Sequence, residues 1–180
     1  MGVGRWAFGA ARRLRGRNAV LLLVCAAACG SGSEPNLALG EIRGSWAGSA
    51  WHGDVGGLLV QRRSAPDTME IIAARPRGSF TPTEEVIVKV EFTGTGTYTL
   101  NAGAAEFREL VGDVVLAKYI GTGGTLTIDS YTGPDGTVEG SFSFDATSTD
   151  ASRSYGDAAR FENGRFRAQV VRSNPTPVPM

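Results

Sequence analysis

Apolar and polar side chains alternate along most of this chain. In residues 85–92, Val86, Val88, Val90 and Phe92 fall on one side and Glu85, Lys89 and Glu91 on the other, with Ile87 as the exception. Successive side chains of an extended strand point to opposite faces, so this is the pattern of a strand half buried against a core. Residues 125–131 repeat it, with Leu126 and Ile128 inward, and so do residues 137–146, with Val138, Phe142 and Phe144 inward. Residues 164–170 set Phe166, Ala168 and Val170 against Arg165, Arg167 and Gln169. Weaker alternation predicts strands over 45–51, 57–62, 68–75, 97–100 and 114–120. Turn residues separate them. Ala65-Pro66-Asp67 is one turn. Gly133-Pro134-Asp135-Gly136 is another, where proline presets φ and glycine supplies φ > 0. Asn163-Gly164 is a tight turn or a bulge before the last strand. Longer loops are expected over 75–84 and 147–158, and residues 103–113 have the composition of a short helical turn.

About nine short strands, each with one apolar face, predict a single all-β antiparallel domain, either a sandwich or a barrel. The alternation does not choose between the two, because a barrel interior and two facing sheets give the same pattern.

The amino-terminal stretch breaks the alternation. Arg5, Arg12, Arg13, Arg15 and Arg17 precede an apolar run from Ala19 to Ala28, with no acid among them. A basic segment, a short apolar run and then small residues is the plan of a secretory signal peptide, here a helix over residues 1–28. The run is about ten residues, where a membrane-spanning helix needs about 20. Ala26-Ala27-Ala28-Cys29 resembles the lipobox of bacterial lipoproteins, although that family usually has leucine where Ala26 stands. The resemblance implies cleavage before Cys29 and lipidation of its thiol. Cys25 then leaves with the leader, so the two cysteines never share a mature chain. Gly30 in place of an aspartate implies the outer membrane of the cell envelope, by the same resemblance. The expected organisation is a signal peptide over 1–28, a flexible tether over 29–42, the all-β domain over 43–172 and a disordered Pro-rich tail over 173–180.

Processing changes the charge. The 18 basic residues less the five leader arginines leave 13, against 18 acids, a net charge of about −5. Phosphate binding needs a basic stripe, so nucleic acid is not an expected partner. The candidate partners are the membrane, through the lipidated Cys29, and envelope proteins or glycans.

Candidate chemistry is sparse. The one histidine, His52, lies near Asp54 and Ser49, but a catalytic triad needs all three to converge, and an extended chain sends neighbours in alternating directions. No G-x-S-x-G elbow is present. Asp145, Asp150 and Asp157 sit on or beside the longest loop, with a spacing that fits no calcium loop. No catalytic residue, metal site or cofactor is therefore assigned, and the chain is expected not to be an enzyme. Aromatic residues give the remaining candidate. Trp46 and Trp51 are an odd number of positions apart, so a single strand would bury one and expose the other. With Tyr119 and Tyr131, the exposed one is a candidate ligand platform.

Three stretches, GTYTL (96–100), GTLTIDSYTGPDGTVEGSFSFDA (124–146) and FENGRFRAQV (161–170), together with an early tryptophan, resemble a family of small secreted lipoproteins known only as a domain of unknown function. The resemblance spans most of residues 43–171. It implies an all-β extracytoplasmic domain and no particular activity. The expected function is a non-catalytic binding or envelope-accessory role. The alternatives are a carrier of a small apolar ligand inside a barrel, or a hydrolase.

Overall fold

The computed structural model describes residues 36–62, 65–75, 83–149 and 154–173. The leader, residues 29–35 of the expected tether with Cys29, Asp150 and residues 174–180 lie outside the described residues. Nine strands follow in order: β1 Glu41–Trp46, β2 Ser49–Arg62, β3 Ala65–Arg75, β4 Thr83–Glu91, β5 Gly96–Leu100, β6 Ala105–Val111, β7 Val114–Tyr131, β8 Thr137–Ser148 and β9 Ala158–Ser173.

The strands form a barrel. Pairing runs β7-β6-β4-β3-β2-β1-β9-β8, and β8 pairs back onto β7, which closes eight strands into a ring. The outer strand β5 pairs with the second half of β7, Gly96 opposite Ile128 and Leu100 opposite Gly124. All neighbours are antiparallel except a short parallel stretch of β2 and β9, Gly57–Val60 against Val170–Ser173. That stretch exists because β1 is short: its first residue, Glu41, lies opposite Asp54 and Arg167. Beyond it the flanking strands meet directly.

The expected alternation places the core. Val86, Val88 and Val90, Leu126 and Ile128, Val138, Phe142 and Phe144, and Phe166, Ala168 and Val170 are all buried inside. Asn163, at φ 53, is a bulge rather than a hairpin turn. The extra residue lets Phe161 and Phe166 both face inward although an odd number of positions separates them.

Three expectations are corrected. Residues 45–51 are not one strand. Trp46 ends β1 and Ser49 begins β2, joined by Ala47 (φ 49) and Gly48 (φ 78), a two-residue turn with both central φ positive. Trp46 lies opposite Ser49 and Trp51 opposite Gly44, so both indoles fall on the inner face. Residues 103–113 are not helical but contain β6, paired with β4 and β7. The strands expected over 114–120 and 125–131 are one 18-residue strand, β7. It runs through Gly121 and Gly124, where neighbouring chain comes too close for a side chain. A Cβ at Gly124 would stand 2.2 Å from the Ser143 carbonyl oxygen.

The two ends of the barrel differ. The lower end carries the β7–β8 turn and the residues joining β4 to β5. There Tyr131 packs edge-on to Phe92 at 4.8 Å, and burial raises its pKa above the usual 10, with Asp67 adding to the rise and Arg172 opposing it. The upper end carries the β1–β2 and β6–β7 turns and the start of β4. It also carries a strap, residues 154–157, leading into β9.

Candidate functional site

The upper end holds the two buried charged side chains among the described residues. Glu84 is 1% exposed and Glu109 is 8% exposed. They lie directly opposite each other on β4 and β6. Both occupy inward parity: Glu84 continues the row of Val86, Val88 and Val90, and Glu109 continues Ala105 and Phe107. A buried carboxylate is tolerated only where hydrogen bonds replace water. Glu84 has them. Trp51 Nε1 donates to its Oε2 at 2.8 Å, the Tyr155 hydroxyl donates to its Oε1 at 2.9 Å, and the Arg75 guanidinium stands 3.6 Å away. Glu109 accepts from the Ser154 hydroxyl.

Tyr155 and Ser154 belong to the strap, so both carboxylates help hold it across the mouth. Tyr119 supplies two more bonds: its hydroxyl accepts from Tyr155 N at 2.9 Å and donates to the Gly156 carbonyl at 3.2 Å. Ser148 N donates to the Asp157 carbonyl at 2.9 Å. Under the strap lies a cluster of rings. Trp46 stacks on Phe107 at 4.1 Å with 12° between the planes, and meets Tyr119 and Tyr155 edge-on at 5.4 and 6.0 Å. Tyr155 also meets Phe107 edge-on at 5.8 Å. The indole nitrogen of Trp46 is buried and has no hydrogen-bond partner among the described residues.

Beside this mouth the β6–β7 hairpin exposes aliphatic side chains. Val111, Val114, Val115 and Leu116 are 48%, 63%, 44% and 42% exposed around the turn Gly112-Asp113. Just below them on the outer wall, Glu106 pairs with Arg108 at 2.6 Å and Lys118 at 3.3 Å. Burial pushes the Glu106 pKa up, but the bonds and charges of Arg108 and Lys118 outweigh it and the pKa is lowered.

The expected site residues fall out differently from a surface platform. Trp46, Trp51 and Tyr119 are buried, and only Tyr131 is half-exposed, at the opposite end of the barrel. The four do not form one surface. The hairpin turn between the tryptophans is the reason, since it resets the parity that a single strand would have imposed. Phe142 and Phe144 lie inside, within 5.0 and 5.8 Å of Phe161, so rings occupy the interior that an apolar cargo would need. His52 and Asp54 point outward from β2, while Ser49 has the inward parity of Trp51. His52 instead bonds Glu41 at 3.1 Å, and Glu41 has a lowered pKa from the Ala38 backbone N–H and then Arg43. No group of three metal-ligating side chains occurs among the described residues, and Asp145 is paired with Arg160 at 3.4 Å.

Sequence reasoning passed over Glu84, Glu109, Ser154 and Tyr155. A signal for the first two was present: a charged residue in phase with the apolar positions of its strand. Nothing in the local sequence marks the strap.

Residues 71–168 match the family described as Domain of unknown function (DUF6252), more than half of the 180 residues. The chain belongs to this family. In this DUF6252 chain the match runs from β3 into β9. It includes the GTYTL and GTLTIDSYTGPDGTVEGSFSFDA stretches, Glu84, Glu109 and the strap, and it leaves out β1 and both inward tryptophans. No curated protein matches the chain, and no solved structure does.

Proposed function

We propose that this DUF6252 chain is a lipid-anchored domain of the cell envelope that works by binding a partner protein and not by catalysis. The observation that carries this reading is the exposed aliphatic tip of the β6–β7 hairpin. Scattered single apolar residues on a surface are ordinary, but a group at one protruding turn is the kind of patch that a partner covers. The tip closes its own backbone hydrogen bonds across β6 and β7, so it can enter an apolar groove without leaving peptide groups unpaired. Asp113 at the turn favours a groove bordered by a basic side chain. The outward His52, bonded to Glu41 and separated by parity from Ser49, supports a non-catalytic reading. The Ala26-Ala27-Ala28-Cys29 stretch supports the lipid anchor and, with Gly30, an outer-membrane address.

A photo-crosslinking residue at Val114 in cells tests the docking surface. One discrete adduct is expected, lost on Val115→Asp and absent when the crosslinker replaces the exposed Lys89 toward the lower end of β4. The same adducts from both positions, or none from Val114, would sink the reading. Partition of wild type and Cys29→Ser between detergent and aqueous phases tests the anchor. Equal partition of the two would remove it.

A further inference from the structure

We infer that the strap-covered mouth of the barrel is a binding site for a neutral, hydroxyl-bearing ring, a sugar ring by chemical class, with Tyr155 occupying it in the closed state. The site is separate from the hairpin tip and does not depend on it.

Three features fit the same kind of ligand. The first is the acceptor pair. Glu84 and Glu109 stand opposite each other and each takes a hydroxyl hydrogen bond, from Tyr155 and Ser154 respectively. Neighbouring hydroxyls of a sugar ring present donors of that kind, and acidic side chains accept them well. The second is the ring cluster. Trp46, Phe107 and Tyr119 surround the Tyr155 ring, and aromatic faces stack on the C–H face of a sugar as they do on another ring. The third is the buried Trp46 indole N–H, which has no acceptor among the described residues. Leaving a buried donor unpaired is unfavourable, and a ring or glycosidic oxygen would satisfy it. Tyr155 satisfies the carboxylate and the rings but, as a donor toward Glu84, it leaves this third group unmet. A sugar ring answers all three.

Among the bonds that hold the strap are Ser154 to Glu109, Tyr155 to Glu84 and Tyr119, Gly156 to Tyr119, and Asp157 to Ser148. Gly156 sits at φ 82, a conformation glycine adopts without strain, at the point where the strap turns toward β9. A ligand must displace Tyr155, so the apparent affinity of the native chain is reduced by the fraction of molecules in which the mouth is open.

That competition gives the test an inverted signature. The full-length chain and its Tyr155→Ala and Ser154→Ala variants are titrated with methyl glucoside and N-acetylglucosamine. Tryptophan fluorescence and the thermal midpoint are the readouts, since Trp46 and Trp51 both lie at the site. Removing the occupant should tighten binding of at least one sugar by about tenfold or more in Tyr155→Ala, because the open fraction rises toward one. Ser154→Ala, which leaves the Tyr155 ring in place, should tighten it by a smaller factor and covers the case in which Tyr155→Ala does not fold. Adding Glu109→Ala to Ser154→Ala should abolish the gain. Ethylammonium chloride is a control of different chemistry. Absence of sugar binding in folded variants, weaker binding in Tyr155→Ala than in wild type, or binding of ethylammonium in place of either sugar would each overturn the assignment. None of these outcomes bears on the Val114 crosslink.

Discussion

Tyr155→Phe isolates what the strap contributes to the barrel. The substitution keeps the ring against Trp46 and Phe107 and removes only the hydroxyl that donates to Glu84 Oε1 at 2.9 Å. Glu84 is 1% exposed, so water does not replace the lost donor, while Trp51 at 2.8 Å and Arg75 at 3.6 Å remain. Leaving a buried acceptor short of one partner costs about 1–3 kcal/mol. For a domain of this size each kcal/mol lowers the midpoint by about 3–5 °C, so the expected fall is about 3–15 °C. Urea unfolding followed by far-ultraviolet circular dichroism at neutral pH gives the free energy, and a thermal melt gives the midpoint. Glu84→Gln and the double variant complete the cycle. Because the two groups touch, their effects should fall short of additivity by at least about 0.5 kcal/mol. A Tyr155→Phe variant as stable as wild type, or strictly additive effects, would show that the strap rests on the mouth without being held by Glu84. The account of the buried carboxylate would then be wrong.

Other consequences are more direct. Trp46→Ala removes the largest fully buried side chain and its stack on Phe107, and should destabilise the domain by about 3–5 kcal/mol in the same urea assay. Gly124→Ala puts a methyl group 2.2 Å from the Ser143 oxygen and should cost about 1–3 kcal/mol, while the same change at the open Gly56 should cost far less. Tyr131 has a raised pKa in the folded chain, so the stability tied to its neutral form is present below pH 10 and fades as pH rises through the raised value. Ultraviolet titration should show a late-ionising tyrosine that Tyr131→Phe removes, and that variant should lose less stability at alkaline pH than wild type.

How much of this was readable depends on what each residue has to satisfy. The strands from β3 to β5 and from β7 to β9 follow from period-two alternation, because each sheds one apolar face into the interior. Closure into a barrel does not follow from it. Which strands pair is decided by non-local contacts, β6 on β4 and β9 on β1, that leave no local trace. The Trp46–Trp51 hairpin was hidden by its turn. Ala47 adopts a positive φ that alanine rarely takes, so only Gly48 hinted that the chain reverses there. Reading one strand instead of two inverted the parity of a tryptophan and turned a core pair into an expected surface platform.

β6 failed for a different reason, and that reason bears on the site. Ala105, Phe107 and Glu109 share the inner face, but Glu109 places a charge where the pattern calls for an apolar residue. With alanine, glutamate, arginine and leucine all good helix formers, the stretch then reads as helical. Glu84 was the last residue of the expected 75–84 loop. The inner face of a barrel strand is core only in its middle turns. At the mouth it borders whatever closes the barrel, and side chains there answer to that closure. A charged residue in phase with a buried apolar row is therefore informative: it marks the layer where core gives way to mouth. Two such residues on neighbouring strands, opposite each other, locate the mouth and require hydroxyl or amide donors to cover it. In this chain the strap supplies them, and any ligand that replaces the strap must do the same.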